Sequence, residues 1–174
     1  TRTGPEIRPE VVVYDVALTT SLPWPVTVTS AVNAMAHAVE ALYAADRTDE
    51  TDRLATDGLG ALAGGLRALH QDPDDVDARA DLLYGAWLAG RCLEAVGMGV
   101  HHKLCHTLGG SFGLPHAATH TVVLPHAMAF NAPSAPEAMR AAAAALGVDD
   151  APSGLQALVT RLGGPTALRD LGFD

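Results

Sequence analysis

Apolar residues recur every three or four positions along most of this chain, the spacing of helices that bury one face. Val32, Met35, Val39 and Leu42 form such a stripe. Thr29 or Ser30 is a suitable N-cap ahead of it, so a first helix is expected to run to about Ala45. A second is expected over Thr51 to Leu69, broken at Asp72-Pro73, and a third from near Val76. The stretch from Leu82 to Leu108 is nearly uncharged and apolar on every side, with Arg91 and Glu94 spaced i,i+3. A helix apolar all round belongs in the interior, so this stretch is predicted to be the central element of the bundle. Gly109-Gly110 closes it, and Ser111 to Pro115 read as a loop. A helix over about Thr119 to Phe130 follows, kinked or split at Pro125, and then shorter ones over Pro136 to Leu146, Ser153 to Leu162 and Pro165 to Leu171.

The first twenty residues break this pattern. Val11-Val12-Val13-Tyr14, after Pro9 and ending at Asp15, is the one run with strand character. A lone strand cannot satisfy its own backbone, and this chain supplies it no neighbours. Pro23 and Pro25 then mark an extended linker. The expected fold class is all-α, a helical bundle with one short N-terminal strand.

Composition agrees with this. At 48% hydrophobic and 18% charged, the 174 residues suffice for one domain with a sizeable core. Alanine and leucine fill whole segments while aromatics are 5%, a helical bias. There is no internal repeat, and the run Ala141 to Ala145 is ordinary helix. A net charge of −9 argues against a nucleic-acid surface; its acidic residues gather at Asp72, Asp74, Asp75, Asp149 and Asp150, read as solvated loops. No apolar run is long enough to span a bilayer. Cys92 and Cys105 sit in apolar surroundings without partner-like spacing, which reads as reduced, buried thiols of a cytoplasmic protein rather than a disulfide. No signal peptide is visible, and the start at Thr1 reads as a processed end or as a piece of a longer polypeptide.

The candidate chemistry lies in the histidines. There are eight, and six fall between residues 101 and 126, in or beside the most apolar part of the chain. A neutral imidazole must place one donor and one acceptor, so a pile of them in a core calls for a reason. Asn33 and His37 are an i,i+4 pair with Glu40 continuing their face; His102 with His106, and His116 with His120, are two more. Three helical segments can therefore aim polar groups at one point. His70, at a helix end, reads as a surface residue, and His126, after Pro125, as one that fixes a helix end.

The segments TSAVNAMAHAVEALYA, HHKLCHTLGGSFGLPH and HTVVLPHAMAFNAP are similar to the metal-site segments of the iron-containing alcohol dehydrogenase superfamily. The resemblance runs from about Ile7 to Ala145. It implies a two-domain enzyme, with an N-terminal α/β domain for NAD(P) and a C-terminal all-helical domain for metal and substrate. On this reading residues 1–22 are the last strand and linker of the nucleotide-binding domain. Residues 23–174 are the helical domain, cut short at its C-terminus. In metal-dependent members one Asp and three His bind the ion; His37, His102 and His116 fall at the histidine positions, and Asn33 stands where the aspartate would. His106 falls on a further histidine, near nicotinamide and substrate.

An amide supplies neither the charge nor the affinity of a carboxylate for a hard cation, although three imidazoles can suffice for zinc. With HHKLCHTLGG and HAATHTVVLPH, Asn33 makes the chain resemble the maleylacetate reductase branch of the superfamily, which works without metal; His120 belongs to that signature. The resemblance implies reduction of the C=C bond of maleylacetate to 3-oxoadipate by NADH or NADPH, in the degradation of aromatic compounds, by a cytoplasmic homodimer without nucleic-acid or membrane partners. It makes His37, His102, His106 and His116 the catalytic set, with His106 as proton donor. Asn33, Lys103 and His120 are then the contacts to the dicarboxylate, and no metal is expected at Asn33, His37, His102 and His116. No glycine-rich phosphate loop follows a strand here, so the cofactor would be held mainly by the other domain and the isolated chain should be inactive. Two other readings stand beside this one: a metal-dependent alcohol dehydrogenase that tolerates Asn33, and a non-catalytic helical binding or dimerisation module.

Overall fold

The helix at the centre of the bundle is the first, α1 (Trp24–Ala41), where Val28, Val32, Met35 and Val39 are fully buried. In this computed structural model, which describes residues 9–173, six more helices follow: α2 (Asp49–Gln71), α3 (Val76–Ala95), α4 (Val100–Phe112), α5 (His116–Asn131), α6 (Pro136–Leu146) and α7 (Ala151–Arg161). Short 3-10 turns lie at Val16–Thr19 and Leu168–Leu171. α1 packs against α2, α3, α4 and α5, while α6 and α7 close the bundle over α2 and α5. The all-α expectation holds, and α6 has the bounds the sequence suggests, because Pro136 opens it and Gly147 ends it.

Several expectations are corrected. α1 begins five residues ahead of Thr29, because Pro25 sits in its first turn, where its missing N–H is not needed. The expected central helix over Leu82 to Leu108 is two helices: Val96 is extended at the end of α3, and α4 starts after Gly99. Tyr84, Trp87, Leu93 and Leu104 on these helices are exposed, so high average hydropathy did not mean burial on all sides. α4 also runs through Gly109-Gly110 to Phe112, and α5 passes through Pro125 unbroken. Finally, there is no strand among the described residues; Val11 to Tyr14 are exposed and unpaired, as a lone extended segment must be. Residues 1–8 of the expected strand-and-linker segment lie outside the described residues.

Long-range hydrogen bonds fix the ends of the bundle. The Trp24 indole N–H donates to Leu162 O at 2.9 Å, and the buried Arg79 guanidinium donates to Thr19 O at 2.8 Å, tying the N-terminal segment to α3. Arg91 and Glu94 pair at 3.9 Å as their spacing suggests. Cys92 and Cys105 are free and buried, and burial pushes their thiols up, to about 11 and about 12. No helix among the described residues is long and apolar enough to cross a membrane.

α2 starts with a capping box: Thr48 Oγ1 accepts the Thr51 N–H at 3.2 Å, and Thr51 Oγ1 accepts the Thr48 N–H at 2.8 Å. Thr48→Ala is expected to lower the unfolding free energy by about 1 kcal/mol in urea denaturation. An unchanged midpoint would show that the cap carries no weight.

Candidate active site

Three helices bring their polar residues to one place. α1 presents Asn33, His37 and Glu40 at i, i+4 and i+7 on one face; α4 contributes His101, His102 and His106, and α5 contributes His116 and His120. The rings form a connected cluster. Centroid distances are 4.5 Å for His37–His102, 4.9 Å for His102–His120, 4.8 Å for His101–His120 and 4.2 Å for His116–His120. His106 and His116 stack at 6.0 Å on the exposed rim, whereas His101, His102 and His120 are buried.

Glu40 anchors this arrangement and is 1% exposed. α4 opens with Gly99, which has no side chain to cap the helix, so its first amides are left without a local partner. Glu40 serves instead: Oε2 accepts the Gly99 N–H at 2.7 Å and Oε1 accepts the His101 N–H at 2.8 Å. A Cβ on Gly99 would lie 2.8 Å from Oε1, so only glycine admits the carboxylate. Oε2 also accepts the His102 Nδ1–H at 2.7 Å, and the Tyr43 hydroxyl reaches Oε1 at 3.4 Å. Burial pushes the Glu40 carboxyl up, but His102 and the two amides outweigh it and hold its pKa below the ordinary value.

The acceptors settle two tautomers. A carboxylate only accepts, so His102 carries a proton on Nδ1, and its buried Nε2 is left without a partner. The His101 Nε2–H donates to His120 O at 3.2 Å, with Cys105 Sγ 3.4 Å from the same nitrogen, so His101 Nδ1 is bare. Burial first, and the neighbouring rings second, push His37 and His101 down to about 4; the same causes push His120 lower still. These rings are neutral near pH 7. Asn33 Oδ1, His37 Nδ1, His101 Nδ1, His102 Nε2 and both nitrogens of His120 are buried without a protein partner. Buried polar atoms in one place with nothing to bond are what a polar ligand would satisfy.

The structure therefore brings together Asn33, His37, His102, His106, His116 and His120 as the spacing suggests. Lys103 is exposed on α4, and no contact joins it to the rings among the described residues. His70 stacks on Trp24 at 5.8 Å, apart from the cluster. His126 lies inside α5 rather than at its end, because the helix continues to Asn131. Glu40 and His101 are the site residues that sequence reasoning passed over. Glu40's place on the Asn33–His37 face was the available signal. His101, one residue from His102, gave none.

An iron site of the superfamily's kind sets a carboxylate beside three imidazoles. Among the described residues the ligand atoms of His101, His102 and His120 lie within 4.8 Å of one another, a group that includes neither His37 nor His116. Asn33 offers an uncharged amide, and Glu40, the one buried carboxylate among the described residues, is committed to three N–H groups behind His102. A donor set without an anion is a weaker site for iron than the superfamily's own.

Comparison with known proteins agrees with the geometry. Residues 27–174 match the model of the Fe-containing alcohol dehydrogenase family, C-terminal. Maleylacetate reductase 1 of Rhodococcus opacus is 56% identical over 173 residues, 99% of this chain and 48% of that protein. The maleylacetate reductase of Pseudomonas knackmussii is 52% identical, over 99% of this chain and 49% of that protein. The crystal structure of maleylacetate reductase from Agrobacterium tumefaciens superposes with a TM-score of 0.95 at 51% identity, covering 99% of this chain and 49% of that one. The chain thus spans about half the length of the curated relatives it matches. It belongs to the Fe-containing alcohol dehydrogenase family, through that family's C-terminal domain.

Proposed function

We propose that this chain is the helical, substrate-side half of an NAD(P)H-dependent maleylacetate reductase. The observation that carries the reading is identity of 46–56% to proteins of that name along 93–99% of the chain. The histidine cluster supports it, as a site rich in hydrogen-bonding groups and lacking an anionic metal ligand. Residues 1–22 are then the end of the nucleotide-binding domain and its linker, and the working enzyme is a cytoplasmic homodimer.

The reduced nicotinamide, when bound by the other domain, supplies a hydride to the alkene carbon β to the ketone. This chain's residues do the rest. Asn33, His37 and His120 line the place where the substrate's polar groups find partners, and Lys103 lies at the rim as a carboxylate contact. His106, exposed beside His116, donates a proton to the carbon between the ketone and the newly formed CH₂, and its N–H bond breaks as the C–H bond forms. No step needs a metal. The complete enzyme should oxidise NADH or NADPH on addition of maleylacetate at a rate unchanged by chelator, and this chain alone should give no turnover. Activity lost on chelation would favour a metal-dependent alcohol dehydrogenase instead. His106→Ala should lower kcat by about 10²–10⁴. Near-normal turnover would remove His106 from the proton step.

A further inference from the structure

Glu40 is held harder than any other side chain of the cluster. A buried carboxylate is costly unless its lone pairs are filled, and here two backbone amides and a ring N–H fill them. Two of these donors belong to the first turn of α4, so the carboxylate is pinned to the backbone of the helix that carries His102. Glu40 is therefore fixed, and the His102 ring takes its orientation from it. With Nδ1 engaged, the buried Nε2 is the one ring atom of His102 left to meet a ligand. The other buried rings lack such a partner among the described residues. His101 rests on a backbone carbonyl, and neither His37 Nδ1 nor either His120 nitrogen has a hydrogen bond.

We propose that Glu40 is a positioning residue of the reduction, acting through His102: it fixes the ring with Nδ1–H bound and Nε2 offered to the substrate's ketone oxygen. As hydride arrives at the β carbon, negative charge develops on that oxygen. With the carboxylate behind it, the ring takes up a proton from solvent at Nε2 as the substrate binds; that N–H donates to the ketone oxygen and then to the enolate oxygen, while His106 protonates carbon. The inference rests on the reductase reading for its substrate, but its geometry stands apart from it.

The test uses the complete enzyme. In Glu40→Gln, kcat should fall about 10–100-fold while KM stays within about threefold. The Glu40→Gln/His102→Ala double variant should be no slower than His102→Ala alone, because the two act as one unit. A Glu40→Gln enzyme within about threefold of the parent, or effects that multiply in the double variant, would overturn the proposal. Nitrogen-15 NMR of labelled histidine in the unsubstituted enzyme decides the geometry even where the variants fail to fold. His102 should show a protonated Nδ1 whose proton lies far downfield; a bare Nδ1 would overturn it. Absence of maleylacetate turnover by the parent enzyme would sink the reductase reading and leave this tautomer measurement to decide the role of Glu40.

Discussion

Asn33→Asp is expected to convert this site into one that retains a divalent cation through dialysis. Asn33 Oδ1 is buried and unpartnered, one helical turn from His37. His102 already has the arrangement of a good ligand, its Nδ1–H held by a carboxylate and its Nε2 without a partner. What the set lacks is an anion. A carboxylate within bonding distance of a doubly charged ion gains several kcal/mol by Coulomb attraction even at an effective dielectric of about 20. Part of that gain is lost in desolvating the new charge. A rise in affinity on the order of 100-fold, about 2.8 kcal/mol, is a conservative expectation. It would be read by titration calorimetry with zinc or ferrous iron and by metal content after dialysis, with Asn33→Ala as the control. The same substitution should weaken a dicarboxylate substrate, since it adds a like charge to the site. If Asn33→Asp bound metal no better than Asn33→Ala, the site would be limited by something other than the missing carboxylate.

The parts of this site that were legible in the sequence are those that repeat at helical spacing. His37, His102, His106, His116 and His120 emerge from i,i+4 pairs because each pair lies on one element, and the period of that element places both members on one face. Glu40 did not emerge as a site residue, although it shares a face with His37, because its meaning comes from partners 59 to 62 residues away at the start of α4. His101 was missed for a related reason. Its ring turns away from His102 at 87°, onto the His120 carbonyl, a contact between two helices that neither helix's pattern contains.

The fold divides in the same way. α2 and α6 are readable because breakers stand at their ends: Asp72-Pro73 for one, Pro136 and Gly147 for the other. α3 and α4 were misjudged because composition was allowed to stand for periodicity. Leu88, Ala89 and Cys92 face the core, but Tyr84, Trp87 and Leu93 on the same helix do not. The break between the two helices depends on Gly99 and on the carboxylate it admits, and that carboxylate comes from α1.

Alanine at two glycines of α3 should shift stability in opposite directions, which tests the close contact of α2 with α3 at Gly58 and Gly85. At Gly85 a Cβ would lie 2.7 Å from Leu62 Cγ, 3.0 Å from the Gly58 carbonyl oxygen and 3.1 Å from the Leu62 amide nitrogen. Two of those three atoms are backbone of α2, which cannot swing aside as a side-chain end can. Across the same crossing, a Cβ on Gly58 would meet Leu88 Cβ at 3.2 Å, so each helix uses a glycine to approach the other. Gly85→Ala gains about 1 kcal/mol of helix propensity. It also forces an overpacked contact that costs about 1–3 kcal/mol, and more where backbone must move. The cost wins, and a net loss of about 1–2 kcal/mol is expected. Gly90 lies five residues further along α3, exposed, with nothing within 4 Å of its would-be Cβ. Gly90→Ala therefore keeps the propensity gain undiminished and should stabilise by about 0.5–1 kcal/mol. Urea denaturation of the two variants should place their midpoints on opposite sides of the parent's, with m unchanged. Two gains of equal size would mean that α2 and α3 do not meet at Gly58 and Gly85.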